Sequence, residues 1–251
     1  MEEAKAAVAC AKMTEAAEFE RVAGGYAVYC GAGNPVTQAV GIGLDGPVEA
    51  REFDQLEEFY FSRKEPVRVE TCPLADGSLL ELYAQRGYRV TEFSNVMVRA
   101  VGDESSPACV PGMRIWRAGA EEIDLWVRTV CQGFAEHYPV TEDLLAVMKM
   151  FAIAPGTECY LASIEGRVAG GATVAARGRI AGLFGASTLP EFRGRGVQTA
   201  LLLERLRRAQ ELRCELVMSL AVPGSHSQRN ITRMGLVTLY TRVKFERGVP
   251  G

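Results

Sequence analysis

Residues Phe184–Leu203 read FGASTLPEFRGRGVQTALLL, and the rest of the chain falls into place around them. The segment opens as a strand, meets Pro190, passes through Arg193-Gly194-Arg195-Gly196 and continues from Val197 with helical spacing of apolar residues. Small residues let the backbone N–H groups of such a loop turn inward without obstruction by Cβ atoms. A helix that starts there aims its unpaired N–H groups and the positive end of its dipole into the loop. Arg193 and Arg195 add charge, so the loop is suited to a pyrophosphate. The same residues also describe a plain glycine turn with two solvated arginines, so the surroundings must decide. Two other nucleotide signatures are absent: GxxxxGK[ST] does not occur, and Gly194 and Gly196 lack the third glycine of GxGxxG.

Upstream, three strand-like runs occupy Cys159–Ile164, Val168–Ala176 and Ile180–Ser187. Their connections, Glu165-Gly166 and Arg177-Gly178, suit hairpins, which predicts an antiparallel meander. It is preceded by a short run at Met113–Trp116, a helix over Ala120–Glu136 and another over Glu142–Phe151. Downstream, the spacing predicts a helix over Val197–Leu212. Thr199, Leu202, Leu203, Leu206 and Ala209 lie on one face, with Glu204, Arg207, Arg208 and Glu211 opposite. A strand at Glu215–Val222, a short helix at Gln228–Met234 closed by Gly235, and a strand at Leu236–Phe245 complete the half. A meander followed by strand–helix–strand implies an α/β (α+β) domain with a mixed sheet and helices packed on it.

The first hundred residues give a shorter version of that order. A helix over Glu2–Val22 leads to strands at Tyr26–Cys30 and Ala39–Leu44. Then come a helix at Glu52–Phe61, a strand at Val67–Thr71, a helix at Leu79–Gln85 and a strand at Val90–Val98. LLELYAQRGYRVTEFSNVMVR in this half and SQRNITRMGLVTLYTRVKFER in the other share a short helix, a glycine and a strand with a basic end, the mark of a divergent duplication. VGDESSPACVPG at Val101–Gly112 separates them. The expected division is 1–104, a linker 105–112, and 113–251.

Pro190–Val197, PEFRGRGV, closely resembles the acyl-CoA-binding signature of the GNAT superfamily of N-acetyltransferases, [RQ]-x-x-G-x-[GA] between a strand and a helix. Arg193 and Gly196 match its first and fourth positions, whereas Gln198 stands where Gly or Ala is usual. The resemblance covers about residues 113–247. It implies two GNAT-like domains in tandem, each a mixed, mostly antiparallel sheet flanked by helices. It also implies that acetyl-CoA is the cosubstrate and an amine, small molecule or peptide, the acceptor. Arg193, Gly194, Arg195, Gly196, Val197 and Gln198 would form the cofactor loop, with the pyrophosphate held by backbone N–H groups of Arg195 to Gln198 and a hydroxyl from Thr199. The pantetheine arm would pair with the backbone of Ser187, Thr188 and Leu189, and Asn230 would contact it.

Many relatives carry an acidic tyrosine four residues before the Gly-Phe that ends the last short helix. Here that position is Ile231. Tyr240 and Ser227 are the remaining nearby hydroxyls for the catalytic acid. Glu136, His137 and Tyr138 fall in an acceptor-side loop, with no residue marked as the base. The first half carries the tyrosine, as Tyr83 ahead of Gly87-Tyr88, but its loop reads Gly43-Leu44-Asp45-Gly46-Pro47-Val48. Asp45 would repel phosphate and Pro47 donates no N–H, so this half is expected not to bind coenzyme A, and Tyr83 to be a packing residue.

Composition excludes other classes. The 251 residues are 48% apolar and 24% charged, enough for a large core. A net charge of -3 disfavours nucleic acid and membrane surfaces as partners. Seven scattered cysteines without CxxC and only two histidines leave no metal site or disulfide framework. No signal segment or long apolar run is read, so a cytoplasmic protein is expected, with a homodimer open. The competing class is a noncatalytic acyl-CoA-binding or sensing protein.

Overall fold

The computed structural model describes residues 17–102, 110–135 and 139–250. Contacts divide the chain into two compact units: residues up to Val96 together with those from Leu239 onward, and Met97–Thr238. The expected linker lies partly outside the described residues. The C-terminal strand, read from the sequence with the second half, belongs from Leu239 to the first unit.

In the first unit the strands are β1 (Glu18–Val22), β2 (Gly25–Tyr29), β3 (Gln38–Val40), β4 (Val67–Thr71), most of β5 (Arg89–Ala100) and most of β11 (Val237–Arg247). Their order is β1-β2-β3-β4-β11-β5. β1, β2 and β3 pair antiparallel, β3 and β4 parallel, and β4 and β11 antiparallel with Val243 opposite Thr71. Helices α1 (Ala50–Phe61) and α2 (Ser78–Arg86) bury Phe53, Leu56, Tyr60, Leu79 and Tyr83 against this sheet.

Two expectations fail here. The helix over Glu2–Val22 gives way at Glu18–Val22 to β1, while residues 2–16 lie outside the described part. The cause is the loop Ala23-Gly24, with φ of 46° and 78°, which joins Val22 to Gly25 as a two-residue hairpin of the twist strands favour. The strand expected over Ala39–Leu44 stops at Val40, because Gly41 and Gly43 turn the chain at φ of 77° and 73°.

The second unit holds β6 (Met113–Arg117), β7 (Thr157–Ile164), β8 (Arg167–Arg177), β9 (Ile180–Thr188) and β10 (Leu216–Ala221), with the end of β5 beside β10. β6 to β9 form the antiparallel meander, and β10 joins β9 in parallel. Two-residue turns at Glu165-Gly166 and Gly178-Arg179 carry the hairpins. On one face pack α3 (Ile123–Phe134) and α4 (Glu142–Ile153), where Trp126, Val130, Met148 and Leu161 form a core. On the other, α5 (Val197–Glu211) and α6 (His226–Arg233) close over Tyr160, Ile164, Val174, Leu183, Leu201, Leu206, Val217 and Ile231. Fully buried strands flanked by helices on both faces explain why β7 and β8 read as continuous small-apolar runs.

The buried face of α5 is rotated from the expected one. Val197, Ala200, Leu201, Leu202, Arg205, Leu206 and Ala209 are buried, and Thr199 is exposed.

Candidate functional site

β9 delivers the chain to a 3-10 turn, Pro190–Phe192, and then to the glycine loop. Gly194 and Gly196 have φ of 74° and 81°, which L side chains adopt only under strain. Space is not the reason for these glycines: a Cβ on Gly194 would meet nothing within 4 Å, and one on Gly196 only Val110 at 3.7 Å. The loop is therefore an open cradle whose shape the backbone dictates.

Gly196 caps α5 without a side-chain bond, and the first turn carries no acid. The first helical bond runs from Ala200 N–H to Gly196 O at 3.0 Å. The N–H groups of Val197, Gln198 and Thr199 precede it and have no intrahelical acceptor. The corresponding helix start in the first unit is built against anions. Pro47 precedes it, Glu49 and Glu52 occupy its entry, and the Glu52 carboxylate accepts the Glu49 N–H at 2.9 Å. Gly43 is also used internally, donating to Ala23 O and accepting from Asp76 N–H, while Asp45 pairs with Arg21.

The two arginines of the loop have different roles. Arg193 donates to Gly133 O at 3.1 Å and to Thr188 O at 3.4 Å, so it ties the end of α3 to the end of β9. Arg195 is exposed and its guanidinium lies over the Phe192 ring at 5.7 Å. Arg195 is thus an accessible cation of the loop, and Arg193, exposed as well, is its brace.

Between β9 and β10, pairing runs from Ile180↔Leu216 to Leu183↔Ser219 and stops, although both strands continue. Ser219 hydroxyl marks the end of the pairing by donating to Leu183 O at 3.0 Å. Beyond it, β9 from Phe184 to Thr188 has no strand on its β10 side among the described residues. Ser187 hydroxyl donates to Val130 O at 3.0 Å, Leu189 N–H bonds Ala169 O at 2.9 Å, and the shielded Thr188 hydroxyl has no partner among the described residues. The open edge therefore offers backbone, not side chains.

Asn230 on α6 donates to the Gln198 side-chain oxygen at 2.7 Å and accepts from Arg233 at 3.0 Å. The residue that departs from the small type is thus joined to the residue expected to contact the cofactor arm. Ser227 is exposed in the first turn of α6, which Ser225 caps. Tyr240 falls in the other unit, half-buried beside Cys72, and burial pushes its phenol up to about 12. Ile231 is buried in the core. Tyr83 is buried as well, bonded to the Thr71 hydroxyl at 2.8 Å and stacked on Phe245 at 4.2 Å. Glu136, His137 and Tyr138 lie outside the described residues.

Sequence reading missed Trp126, Thr173 and Arg205, which surround a bulge in β9. Only a glycine inside the strand, Gly185 of GASTL after Phe184, hinted at irregularity there.

A meander, a splayed parallel pair and an uncapped helix behind a glycine loop define an α/β domain with an open cradle at the helix start. Residues 119–236 match the model of the acetyltransferase (GNAT) family. A GCN5-related N-acetyltransferase from Kribbella flavida superimposes with a TM-score of 0.72 at 15% identity, covering 98% of this chain and 95% of that one. A tandem GNAT protein from the clavulanic acid biosynthesis pathway gives 0.68 at 15% identity, with 98% and 88% covered. A functionally unknown conserved protein from Staphylococcus epidermidis gives 0.62 at 12% identity, with 86% of each chain covered. At these identities the likeness is one of fold, and the fold is the tandem GNAT arrangement. No curated protein matches the chain. Among the described residues, no helix is long and apolar enough to cross a membrane, and no cluster of three or more His, Cys, Asp or Glu is placed to hold a metal ion.

Proposed function

We propose that the second unit binds acetyl-CoA and transfers its acetyl group to an amine. The observation that carries this reading is the uncapped start of α5 at Gly196, reached by a strand whose β10-side edge is open from Phe184. The chain's own residues fit the group: an anion cradle free of internal carboxylates, then an extended backbone edge. The N–H groups of Val197, Gln198 and Thr199 hold the pyrophosphate, assisted by Arg195. Phe184–Leu189 lie alongside the pantetheine arm, with Asn230 and Gln198 across from it. When bound, the cosubstrate supplies a thioester carbonyl for an amine to attack.

The residues act mainly by placement, which lowers the barrier by removing motion that the free reactants would have to lose. A β9 backbone N–H directed at the acyl oxygen stabilises developing negative charge. Ser227 is the hydroxyl of this unit to test for protonating the leaving thiolate, whereas Tyr240 belongs to the other unit. Seven scattered cysteines without a CxxC pair fit a reducing, cytoplasmic setting.

One observation favours a second reading, a noncatalytic acyl-CoA sensor: Ile231, buried in the core, stands where relatives place the acidic tyrosine. Thiol release from acetyl-CoA, followed with a panel of small and peptide amines, separates the two. Turnover with any amine supports the enzyme. Calorimetric binding without turnover on the whole panel supports the sensor, and no binding rejects both.

A further inference from the structure

The two faces of β9 and β10 differ in what they carry. Partners in the parallel pair share a face: Val217 with Ala181 and Ser219 with Leu183 lie on the side of α5, where Ala181, Leu183 and Val217 join the core. Side chains alternate along a strand, so Gly182 and Phe184 of β9 and Leu216, Met218 and Leu220 of β10 turn to the side of α3 and α4. On that side α3 packs over β8 and β9, and α4 over α3 and β7. Leu216 and Leu220 stay 39% and 37% exposed, and Val222 beyond them 56%.

Gly182 leaves a recess in this apolar face. A Cβ there would meet nothing nearer than Ala175 O at 3.8 Å and the Phe184 ring at 4.0 Å. Gly182 does not have a positive φ, so its conformation does not demand glycine, and what the residue provides is space. Ala175, its partner on β8, is small as well, and Met218 is its partner on β10. The Phe184 ring stands at the end of the recess, braced edge-to-face by Phe151 of α4 with centroids 6.0 Å apart.

The recess lies beside the place where the strands part. Leu183↔Ser219 is the last pair; Gly182 is one residue before it, and Phe184 and Leu220 are the first residues past it. α5 and α6, which carry Gln198 and Asn230, occupy the opposite face, leaving the α3 and α4 side for a second reactant. No residue of Gly182–Phe184 or Leu216–Val222 is charged. Asp124 of α3 is held by Lys149 at 2.7 Å, and Arg177, at the far end of β8, donates to Pro155 O at 3.4 Å. Such walls favour an apolar body through the area it removes from water, and offer a polycation little. They also disfavour the ammonium form of an amine, leaving more of the neutral form that attacks.

We propose that the Gly182 recess and Leu220 bind the apolar body of the acceptor, so that the acceptor is a primary amine carried on an aryl or branched aliphatic group. The inference rests on the acyl-CoA reading above and gives that reading its acceptor class. The amine nitrogen bonds to the acyl carbon, the carbon–sulfur bond breaks, and the proton the nitrogen sheds ends on the coenzyme A thiol.

The test follows thiol release from acetyl-CoA by the full chain with phenethylamine, ethylamine and spermidine, with coenzyme A affinity measured by calorimetry. Wild type should show kcat/KM for phenethylamine at least about tenfold above that for ethylamine, the size expected for burying an aromatic side chain, with spermidine no better than ethylamine. Gly182→Val fills the recess and should lower the phenethylamine-to-ethylamine ratio at least about fivefold. Leu220→Glu, at an exposed position, should lower the same ratio and raise spermidine relative to phenethylamine. A ratio unmoved by both variants, or one that falls only together with coenzyme A affinity, overturns the proposal. So does a wild type that binds coenzyme A yet prefers spermidine or turns over no amine. Self-association that Leu220→Glu abolishes while the ratio stays put assigns the face to a second copy and overturns it too. Failure of wild type to bind coenzyme A overturns the acyl-CoA reading itself.

Discussion

At the scale of single residues, Thr199 offers the sharpest separation between folding and binding. It is exposed in the first turn of α5, where no acid stands. A carboxylate there interacts favourably with the helix dipole, by about 0.3–1 kcal/mol, yet occupies the place a phosphate would take. Thr199→Glu is therefore expected to leave the melting temperature unchanged or slightly higher and to weaken coenzyme A binding at least about tenfold, some 1.4 kcal/mol. Calorimetry with a thermal melt checks both halves, and retained affinity would move the phosphate site away from α5. Arg193→Glu is a poorer probe, because Arg193 holds the carbonyls of Gly133 and Thr188 and its loss should also lower stability. The loop was legible in the sequence because glycine and arginine are local signals, tied to φ and charge. Arg205 was not legible: an arginine on an amphipathic helix reads as solvated, and the Thr173 carbonyl that it bonds across the interior, beside Leu201 O of its own helix, leaves no local signal.

At the scale of elements, α5 is fastened to β7 by a charged pair. Arg208 donates to Glu158 through two nitrogens at 2.8 and 2.7 Å, and Tyr160 hydroxyl adds a third bond at 3.1 Å. The Arg208 bond first, then Tyr160, holds the Glu158 carboxyl below the usual carboxylate range against the opposing effect of burial. A depressed carboxylate pKa contributes stability above the unfolded value of about 4.3 and loses it as pH falls through the lower folded value. Glu158→Gln should cost about 1–2 kcal/mol at pH 7 in denaturant unfolding, as expected for bonds to a charged group. The gap to wild type should close below about pH 4. A gap independent of pH would assign Glu158 a packing role only. Most elements of this unit were readable because their periodicity is undisturbed. β1 was missed because helix-forming residues run straight into it, and the deciding feature is the positive φ of Ala23, which no propensity favours.

At the scale of the whole molecule, the boundary between units departs from the composition break at 101–112. That stretch is rich in turn formers, whereas the assignment of β11 depends on pairing that no local signal records. β11 supplies five residue pairs to β4, and it brings Phe245 onto Tyr83 and Arg247 to Glu57. A fragment of residues 1–104 lacks all of these. It should show no cooperative unfolding transition and little amide dispersion by NMR, and appending residues 239–251 through a flexible linker should restore both. A fragment 1–104 that melts cooperatively would show that the first unit is complete without β11.

The placement of β11 also sets an order of events during synthesis. Arg68 and Glu246 meet across β4 and β11 although 178 positions separate them. At 5–20 residues per second, on the order of ten seconds or more pass between the emergence of the one and the other from the ribosome. Throughout that interval β4 presents an unpaired edge, the kind of surface that recruits other chains. Met97–Thr238 is continuous in sequence and needs nothing that follows it to close its own sheet. Translation therefore favours a sequence in which the unit begun second is finished first, and the unit begun first is sealed by β11, which is made after it.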